Sequence, residues 1–460
     1  MSDVQLKRAA RPRQGAELEL EIDSLAQGGR GVARADGYVV FVSGALPGDR
    51  VRALVTRSKR DYGEARAVEL LRPSEDRIEE RCLHGGEPCP GAPWQGMTYE
   101  SQLAEKAHQV EDALRRIGRL DGFELEPIEP AVAEWRYRNK LEYSFGPDAD
   151  GLALGYHRRG SWSQVVDVED CLLASEGNNA ARNRVREWAR TRQLEPYDRR
   201  AQAGVLRNLV VREGVNTDEL QTRLVTSPGE LPRPPVDLHT VIEGPGGGTD
   251  GPTGVLGAEY LTEQIAGLRF RVSHAAFLQT NTPMAERLYA IIAELAGLSG
   301  SERVFDLYCG IGTIAISLAP AAGEVWGLET VADAIADAEA NAAANGIGNA
   351  RFVAADARLG IRPLIEEAGR PDVVVVDPPR AGLSSKIVRR LLECEAPRIV
   401  YVSCNPTTLA PNAAQLVEAG YTLRRVKPVD MFPQTPHVEC VAILDKPGSS
   451  RTPSGGGGPS

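Results

Sequence analysis

The sequence lacks any apolar run long enough to span a bilayer and any apolar segment of the kind that directs secretion. We therefore expect a cytoplasmic protein that makes no contact with a membrane. Basic residues do not dominate, since 53 Lys and Arg stand against 63 Asp and Glu, and this formal net charge of −10 excludes binding of nucleic acid through general basicity. Cysteines are few, and an odd set of 7 in 460 residues favours metal or catalytic roles over disulfides.

Charge is nevertheless distributed unevenly along the chain. Residues 1–72 carry 13 Lys and Arg against 10 acidic residues, and residues 182–212 carry 9 Arg against 3 acidic residues. A protein that is acidic overall can still bind RNA through such local patches. The second patch is interpreted either as an RNA contact or as the solvated face of a helix.

The N-terminal part of the chain has the pattern of a small β-barrel. Residues 1–13 are basic and irregular, and we expect them to form a flexible arm. Short alternating segments separated by Gly and Pro then predict five strands and an OB-like barrel over residues 14–72. These segments are 16–22, 28–33, 38–42, 51–56 and 64–70. At the other end, the Gly-, Ser- and Pro-rich residues 447–460 are expected to be a disordered tail.

Residues 73–281 are predicted to form a central α+β domain, with a helix at 100–120 and a Gly- and Pro-rich loop at 244–254. From Thr282 to residue 446, strands and helices alternate, which predicts a doubly wound, Rossmann-like parallel sheet. Its predicted strands are 303–307, 324–329, 350–353, 372–376 and 398–402, followed by an antiparallel edge hairpin near 421–431 and 438–445. The predicted fold class is α/β.

A cofactor site is predicted at the carboxyl edge of this sheet. Gly310 and Gly312 lie between a strand and a helix, where a glycine lets the backbone approach a ligand. Glu329 ends the next strand, where a carboxylate can accept both ribose hydroxyls of an adenosine cofactor. Asp356 and Asp377 follow the third and fourth strands. Repeated acids without a phosphate-binding loop favour S-adenosylmethionine over NAD, the alternative being strand-capping acids in an unrelated α/β domain.

A second chemical feature is Cys404, in a Ser-Cys-Asn-Pro turn after an apolar strand. A thiol at the end of a strand can be exposed and act as a nucleophile, whereas Cys394 and Cys440 have the pattern of core residues. Glu439 begins the last strand and is the candidate base. Arg380 follows an Asp-Pro-Pro turn where enzymes that methylate planar amines usually carry an aromatic residue, so amine methylation is disfavoured.

Five motifs in order resemble the RNA (uracil-5-)methyltransferase family, over residues 15 to 446, and residues 14–72 resemble its RNA-binding TRAM domain. The motifs are Phe277-Leu278-Gln279-Thr280-Asn281, Asp306-Leu307-Tyr308-Cys309-Gly310, Asp377-Pro378-Pro379-Arg380, Ser403-Cys404-Asn405-Pro406 and His437-Val438-Glu439. The resemblance implies that Cys404 adds to carbon 6 of a uracil, so that carbon 5 can be methylated, and that Glu439 then removes the carbon-5 proton. It also implies a set of residues around the cofactor: Gln279, Tyr308, Glu329, Asp377, Thr313 and Asp356.

The TRAM-like barrel favours 23S rRNA as the substrate, because family members that methylate the tRNA T-loop often lack it. Methylation of tRNA is the first alternative. An RNA-binding assembly factor without catalysis is the second, and intact Cys404, Glu439 and Glu329 argue against it. We expect a monomer that flips a uridine out of an RNA loop rather than one that reads a helix.

The sequence departs from the family at two places. Many members bind a [4Fe–4S] cluster through four cysteines, of which Cys82, Cys89 and Cys171 match three, while Ala92 stands at the fourth position. Three interpretations remain open: an incomplete cluster completed by a residue such as His84, a zinc site, or relict cysteines without metal. We expect less than a full complement of iron and sulfide. The second departure is Cys440, where the family usually has threonine.

Overall fold

The computed structural model describes residues 11–84, 86–149, 151–158, 160–161, 163–228, 231–234, 236, 238–243 and 249–448. Most of the predicted N-terminal arm and of the predicted tail lies outside these residues. The predicted loop at 244–254 is outside them up to residue 248, and its remainder belongs to a β-strand rather than to a loop.

Five strands at the N-terminal end close into a barrel in the order β1-β2-β3-β5-β4, with β4 pairing back onto β1. They are β1 (Glu17–Ala26), β2 (Arg30–Ala35), β3 (Tyr38–Ser43), β4 (Arg50–Ser58) and β5 (Tyr62–Arg72). Alternate side chains, such as Leu20, Ile22, Val40 and Val42, point inward and form a small separate core, as the period of two in a strand requires. The predicted OB-like barrel is confirmed.

The segment after the barrel was predicted to belong to the central domain, yet parts of it pack against the C-terminal sheet, beyond the predicted boundary at residue 281. It contains β6 (Leu83–His84), β7 (Glu87–Pro88), α1 (Tyr99–Asp112), a π-helical turn (Ala113–Ile117) and β8 (Glu124–Leu125). Val110 and Leu114 belong to a core of the C-terminal sheet, and β8 pairs in parallel with residues 425–426 of that sheet. The division of the chain into domains therefore stays a prediction.

A seven-stranded sheet follows, in the order β11-β10-β9-β12-β13-β14-β15, with one helix packed against it. Its elements are β9 (Lys140–Gly146), β10 (Ala153–His157), β11 (Val165–Asp167), α2 (Glu176–Thr191), β12 (Leu206–Gly214), β13 (Glu219–Thr226), β14 (Leu238–Glu243) and β15 (Thr249–Leu256). Helix α2 begins where the Ser175 hydroxyl accepts a hydrogen bond from the Asn178 amide, a common N-terminal cap. The hairpin of β16 (Tyr260–Ile265) and β17 (Leu268–Ser273) then packs against the C-terminal domain.

The C-terminal domain alternates helices and strands as predicted. Its helices are α3 (Thr282–Ala296), α4 (Thr313–Leu318), α5 (Ala332–Ala344), α6 (Ala357–Ala368), α7 (Ser385–Glu393) and α8 (Pro406–Glu418). Its strands are β18 (Arg303–Leu307), β19 (Glu324–Glu329), β20 (Ala350–Ala354), β21 (Val373–Val376), β22 (Arg398–Ser403), β23 (Thr422–Val429) and β24 (Glu439–Asp445). The sheet order is β20-β19-β18-β21-β22-β24-β23-β8.

This sheet is covered on both faces, which explains its continuous apolar strands. Val374 and Val376 pack into one core, and Val373 and Val375 pack into the other, because successive residues of a strand point to opposite faces. Strand β24 runs antiparallel to β22, so the predicted antiparallel hairpin is present, with β8 added outside it. Within the described residues, none of the helices has both the length and the apolar character needed to cross a bilayer.

Candidate active site

The loop between β18 and α4 brings backbone to the carboxyl edge of the sheet. Tyr308, Gly310 and Gly312 have φ angles of 69°, 54° and 83°, in the left-handed region that favours glycine. A Cβ on Gly312 would lie 3.1 Å from atoms of Ala338 and Phe352, so only glycine fits there without displacement. A Cβ on Gly310 would meet no heavy atom of the described residues within 4 Å, and the loop therefore faces open space that a ligand can enter.

Glu329, at the end of β19, lies against this loop. One of its carboxylate oxygens is 3.3 Å from the amide nitrogen of Gly310, and the other accepts hydrogen bonds from Thr330 and Val331 at 2.6 and 3.0 Å. Asp377 follows β21, the strand next to β18, and burial raises the pKa of its carboxyl group to about 6. Two of the predicted acids therefore meet at the edge where the strand order reverses, which is where doubly wound sheets bind ligands.

A third acid, Asp306, was not among the predicted site residues. It is fully buried inside β18, and burial together with the charge of Asp377 raises its pKa to about 7. One carboxylate oxygen accepts a hydrogen bond from the Ala315 amide in α4 at 2.9 Å, and the other has no partner among the described residues. The signal in the sequence is an acid inside an otherwise apolar strand. With Glu329 and Asp377, it gives this edge a negative character suited to a cationic ligand.

The other residues predicted around the cofactor make structural hydrogen bonds. The Thr313 hydroxyl accepts a hydrogen bond from Tyr289 at 3.1 Å. Asp356 caps α6 and is held by the guanidinium of Arg358, which lowers the pKa of the carboxyl to about 2. Gln279 is buried in the segment that enters α3. Their predicted contacts with a cofactor remain predictions.

Cys404 and Glu439 come together on neighbouring strands. The antiparallel register of β22 and β24 pairs Ser403 with Cys440, so the next position brings Cys404 opposite Glu439. Asn405 caps α8 and ends the strand at this point. Cys404 is partly exposed, whereas Glu439 is only 4% exposed. The geometry thus brings a reachable sulfur beside a buried carboxyl group.

The charges around this pair favour the protonated forms. Burial, then the carboxylates of Glu439 and Asp377, raises the pKa of the Cys404 thiol to about 11, and Arg380 partly opposes this rise. Burial and Asp377 also raise the pKa of Glu439 well above its usual range. Burial thus favours the protonated thiol and the uncharged carboxyl group, and Arg380 is the neighbouring cation that favours the thiolate.

Helix α1 fixes the loop that leads into Glu439. Lys106 and Asp430 form an ion pair in which both side chains are fully buried, and the Tyr99 hydroxyl donates to the same aspartate at 2.8 Å. Gln102 exchanges side-chain and backbone hydrogen bonds with Gln434, each of 2.9 Å. Because removal of one member of a buried pair leaves an uncompensated charge, these contacts hold the loop in one conformation.

A cleft of about 630 Å³ lies between the barrel and α1, next to the Cys404 turn. At its floor, the side chain of Gln27, in the β1–β2 loop, donates a hydrogen bond to Asn405. Basic and aromatic side chains of the barrel and the helix share the lining with the start of α8. These lining residues include Arg30, Arg34, Phe41, His108, Arg116, Pro406 and Thr407. Positive charge and a ring next to a reactive turn are suited to single-stranded RNA.

The second basic patch, predicted over residues 182–212, divides into two parts. Arg186 and Arg190 pair with Asp167 at 2.7 and 3.1 Å, and the buried Arg212 donates to backbone carbonyls. These arginines support the fold of the central sheet rather than an RNA surface. Others line a separate cleft of about 540 Å³. They are Arg199, Arg200 and Arg207, beside Tyr197.

The cysteine motif folds into a compact buried group. The ligand atoms of Cys82, His84 and Cys89 all lie within 4.8 Å of one another, while the sulfur of the buried Cys171 is outside that group. Ala92 packs fully buried against both cysteines, so a methyl group stands at the position of the family's remaining thiolate. A [4Fe–4S] cluster needs four ligands spread around its four irons, whereas these donors converge on one point. The residues do not fit that cluster.

Comparisons with known proteins identify the family of the chain. The sequence model of the tRNA (uracil-5-)-methyltransferase family matches residues 253–447, and that of the TRAM domain matches residues 11–68. An RNA methyltransferase of Halalkalibacterium halodurans is 36% identical over 449 residues, which cover 93% of this chain and 96% of that protein. The chain belongs to the tRNA (uracil-5-)-methyltransferase family. A second RNA methyltransferase of this kind, from Clostridium tetani, is 36% identical over 94% of the chain.

Among solved structures, the tRNA (uracil-54, C5)-methyltransferase of Pyrococcus abyssi, in complex with S-adenosyl-L-homocysteine, resembles the whole chain. The TM-score is 0.74 at 27% identity, and the match covers 93% of this chain and 100% of that one. The predicted family and the α/β methyltransferase fold with an N-terminal barrel are therefore confirmed. As a family member, the chain is an S-adenosylmethionine-dependent RNA methyltransferase.

Proposed function

We propose that this methyltransferase forms 5-methyluridine in RNA by covalent catalysis, with Cys404 as the nucleophile and Glu439 as the base. The observation that carries the proposal is the position of Cys404 directly after β22, where the register of β22 and β24 brings it opposite Glu439, at the edge that also holds Asp377 and the Gly310 loop. A methyl transfer to uracil needs a nucleophile, a base and a cofactor site within reach of one ring, and this edge brings the candidates together.

Carbon 5 of uracil is too weak a nucleophile to be methylated directly, so the ring has to be activated. The Cys404 thiolate adds to carbon 6, which breaks the conjugation of the ring and turns carbon 5 into an enolate-like centre. Bound S-adenosylmethionine supplies the electrophilic methyl group that carbon 5 takes. Glu439 then removes the proton from carbon 5, and the departure of Cys404 from carbon 6 restores the aromatic ring.

The raised pKa values set a requirement for this sequence of steps. Cys404 has to lose its proton before it can add, and Arg380 is the cation beside it that lowers the pKa of the thiol. Glu439 also has to be ionised before it can accept the carbon-5 proton, and its raised pKa makes it a stronger base once it is ionised. We expect the rate of covalent addition to increase with pH over the neutral range.

We propose that the cofactor is held along the acidic edge of the sheet, where the donor set fits a cation without phosphate. Glu329 would bind the ribose, Gly310 and Gly312 would allow the backbone to approach the ligand, and Asp377 would lie nearest the reacting groups. Tyr308, Gln279, Thr313 and Asp356 stay in the proposed site. For Thr313 and Asp356 this requires exchange of the hydrogen bonds to Tyr289 and Arg358.

We further propose that the substrate is a loop of 23S rRNA that enters through the cleft between the barrel and α1. Arg34 would contact phosphates, and Phe41, over which the Arg30 guanidinium lies at 4.9 Å, would stack on a base. Arg116, which also lines the cleft, is held by Asp112 and would have to exchange those hydrogen bonds for a phosphate. The hydrogen bond from Gln27 to Asn405 joins this cleft to the catalytic turn. RNA bound here would lie next to the recessed thiol that receives the flipped uridine.

A tRNA loop is the second candidate substrate, and one observation favours it. The Pyrococcus abyssi enzyme, a tRNA (uracil-54, C5)-methyltransferase, matches 93% of this chain. With 7% of the chain unmatched, part of the barrel is included in the match, so a barrel does not separate rRNA from tRNA enzymes. The cytoplasm and a monomeric state remain predictions.

Covalent trapping tests the mechanism, and labelling of RNA tests the substrate. RNA that contains 5-fluorouridine should form an adduct with the enzyme and cofactor, since carbon 5 then carries no proton for Glu439 to remove, and Cys404→Ala should form none. Transfer of labelled methyl groups to purified 23S rRNA and to tRNA compares the two substrates, with Cys404→Ala as the blank. Absence of an adduct with the wild-type enzyme on an RNA that it methylates would contradict covalent catalysis.

A further inference from the structure

We propose that Cys82, His84, Cys89 and Cys171 bind a single zinc ion, in place of the iron–sulfur cluster that the family motif suggests. The proposal rests on the convergence of the first three donors, and it is independent of the reaction proposed above. Cysteine thiolates and an imidazole are the ligands that zinc prefers, and Cys₃His is a common set in structural zinc sites.

The distances between the donors fit one ion. Bonds of about 2.3 Å to sulfur and about 2.0 Å to nitrogen at a tetrahedral angle bring the two ligand atoms about 3.5 Å apart. The Cys82 sulfur lies 3.4 Å from Nε2 of His84, and the Cys89 sulfur lies within 4.8 Å of both. Around a four-iron cluster each terminal ligand binds a different iron, which holds the ligand atoms further apart than a shared ion does.

The backbone around these donors is fixed before any metal binds. The Gln95 side chain accepts from the Cys82 amide at 2.7 Å and donates to its carbonyl at 2.9 Å. The same carbonyl accepts from the Cys89 amide at 3.0 Å across the β6–β7 hairpin. The Gly91 amide donates to the Cys89 sulfur. Such hydrogen bonds orient the ligands, and ordered ligands lower the cost of binding a metal.

Cys171 is the proposed fourth donor, and its sulfur, which lies outside the group formed by the other three ligand atoms, would have to move toward them on metal binding. It is fully buried, its amide donates to Asn179 at 2.9 Å, and its sulfur lies 3.4 Å from the Tyr156 hydroxyl. The next residue, Leu172, packs against the hydrophobic cluster formed by Cys82, Cys89 and Ala92. A zinc ion bound by all four residues would join the hairpin to the central sheet, so we infer a structural role.

Ala92 decides between the two kinds of metal centre. Its methyl group removes one of the four thiolates that a protein-bound [4Fe–4S] cluster requires. The imidazole of His84 lies next to the remaining thiolates, and it is a suitable ligand for zinc. The loss of one thiolate and the presence of one imidazole thus favour the same ion.

Elemental analysis of the full chain tests the proposal directly. Protein purified without chelators, from cells grown with both metals, should contain about one zinc per chain, with iron and acid-labile sulfide far below one equivalent. Anaerobic incubation with iron and sulfide should not replace the zinc. Stoichiometric iron and sulfide would overturn the proposal, and so would folded protein that contains neither zinc nor iron.

Cobalt substitution and variants test the ligand set without recourse to activity. Co²⁺ added to zinc-free protein should give the visible absorption of a tetrahedral thiolate site, and His84→Ala should weaken Zn²⁺ binding by at least the 10–100-fold that loss of an outer-shell partner costs. His108→Ala, which removes an exposed imidazole elsewhere, is the matched control and should bind zinc normally. Ala92→Cys should gain the ability to assemble an iron–sulfur cluster. Normal zinc binding by folded His84→Ala protein would overturn the assignment.

Discussion

Sulfur occupies two contrasting places in this molecule. Cys404 stands alone at the end of β22, partly exposed and surrounded by ionisable groups, whereas Cys82 and Cys89 are buried together in a rigid hairpin. The first arrangement leaves a partly exposed thiol, and the second leaves two buried thiols that converge with each other and with His84. A cysteine can act as a nucleophile when a substrate can reach it and nearby charges favour its thiolate. A cysteine can serve as a structural metal ligand when other ligand atoms lie close to its sulfur.

The largest expected effect comes from removal of the reachable sulfur. Cys404→Ala should lower methyl transfer to RNA by about 10⁴-fold or more, because the other thiols of the described residues are buried and cannot replace it as the nucleophile that adds to carbon 6. The melting temperature should hardly change, since the side chain is partly exposed. Labelled methyl incorporation and calorimetry measure the two quantities.

Cys440→Thr is the matched control for this variant. Cys440 is fully buried next to Glu439, and threonine is the usual family residue at the position. Most of the activity should therefore survive in the control. Turnover by Cys404→Ala comparable to that of Cys440→Thr would contradict the assignment of Cys404 as the nucleophile.

The second largest expected effect comes from replacement of the proposed base, Glu439. Glu439→Gln keeps the shape of the buried side chain but cannot accept a proton, so turnover should fall by about 10²–10⁴-fold. Since Cys404 remains, methylated RNA should accumulate as a covalent adduct that gel electrophoresis detects without 5-fluorouridine. Glu418→Gln, an exposed change at the end of α8, should behave as the wild type. A slow variant without any adduct would assign the lost rate to a step before proton removal.

The strands and site residues that could be predicted from the sequence are those whose signal lies within a short stretch of chain. Strands β18 and β19 match their predicted bounds, because a strand buried on both faces is a continuous apolar run. The ends of such strands also revealed Glu329 and Asp377. The β16–β17 hairpin and β8 gave no comparable signal, and β8 exists only through its pairing with residues some 300 positions later.

Predictions from amino-acid composition were wrong or incomplete where contacts between distant parts of the chain decide the structure. The Gly- and Pro-rich residues 249–254 predicted a loop, yet they pair with β14 in an antiparallel register. Asp306 was missed because one acid in an apolar strand does not alter its pattern, and only the fold reveals that it shares an edge with Asp377. The convergence of His84 with two cysteines likewise depends on the hairpin, which spacing alone does not determine.

The buried sulfurs should affect stability rather than chemistry. Cys394→Ala removes a fully buried thiol with no metal-binding neighbours among the described residues, and it should lower the unfolding free energy by about 1 kcal/mol. Cys82→Ala should lower it by about 3 kcal/mol, because a metal ligand is lost as well. Calorimetry of both variants measures the difference, and kcat of the folded fraction should remain near that of the wild type. Equal losses would indicate that no metal stabilises the hairpin.

Asp306 provides an effect on stability that depends on pH. Its pKa is raised from 3.8 to about 7 in the folded state, so the folded protein holds the proton more tightly and the stability from this group is lost as pH rises through that window. At 1.36 kcal/mol per unit, the penalty above pH 7 is at most about 4 kcal/mol. Asp306→Asn should therefore be more stable than the wild type at pH 8, but not at pH 4. An unchanged pH dependence in denaturant unfolding would contradict this.

The smallest expected effect tests whether the barrel guides RNA to the exposed sulfur. Arg34→Ala removes one cation from the cleft, so KM for RNA should rise a few-fold and the slope of log affinity against log salt should fall by about 1. Arg50→Ala is the matched control, since this arginine lies on the same barrel, pairs with Glu19 and is not among the residues that line the cleft. Because the proposed mechanism assigns the chemical steps to Cys404 and Glu439, neither variant should change kcat. Identical salt slopes for the two variants would mean that the cleft does not contribute to RNA binding, and the thiol would then have to be reached from another side.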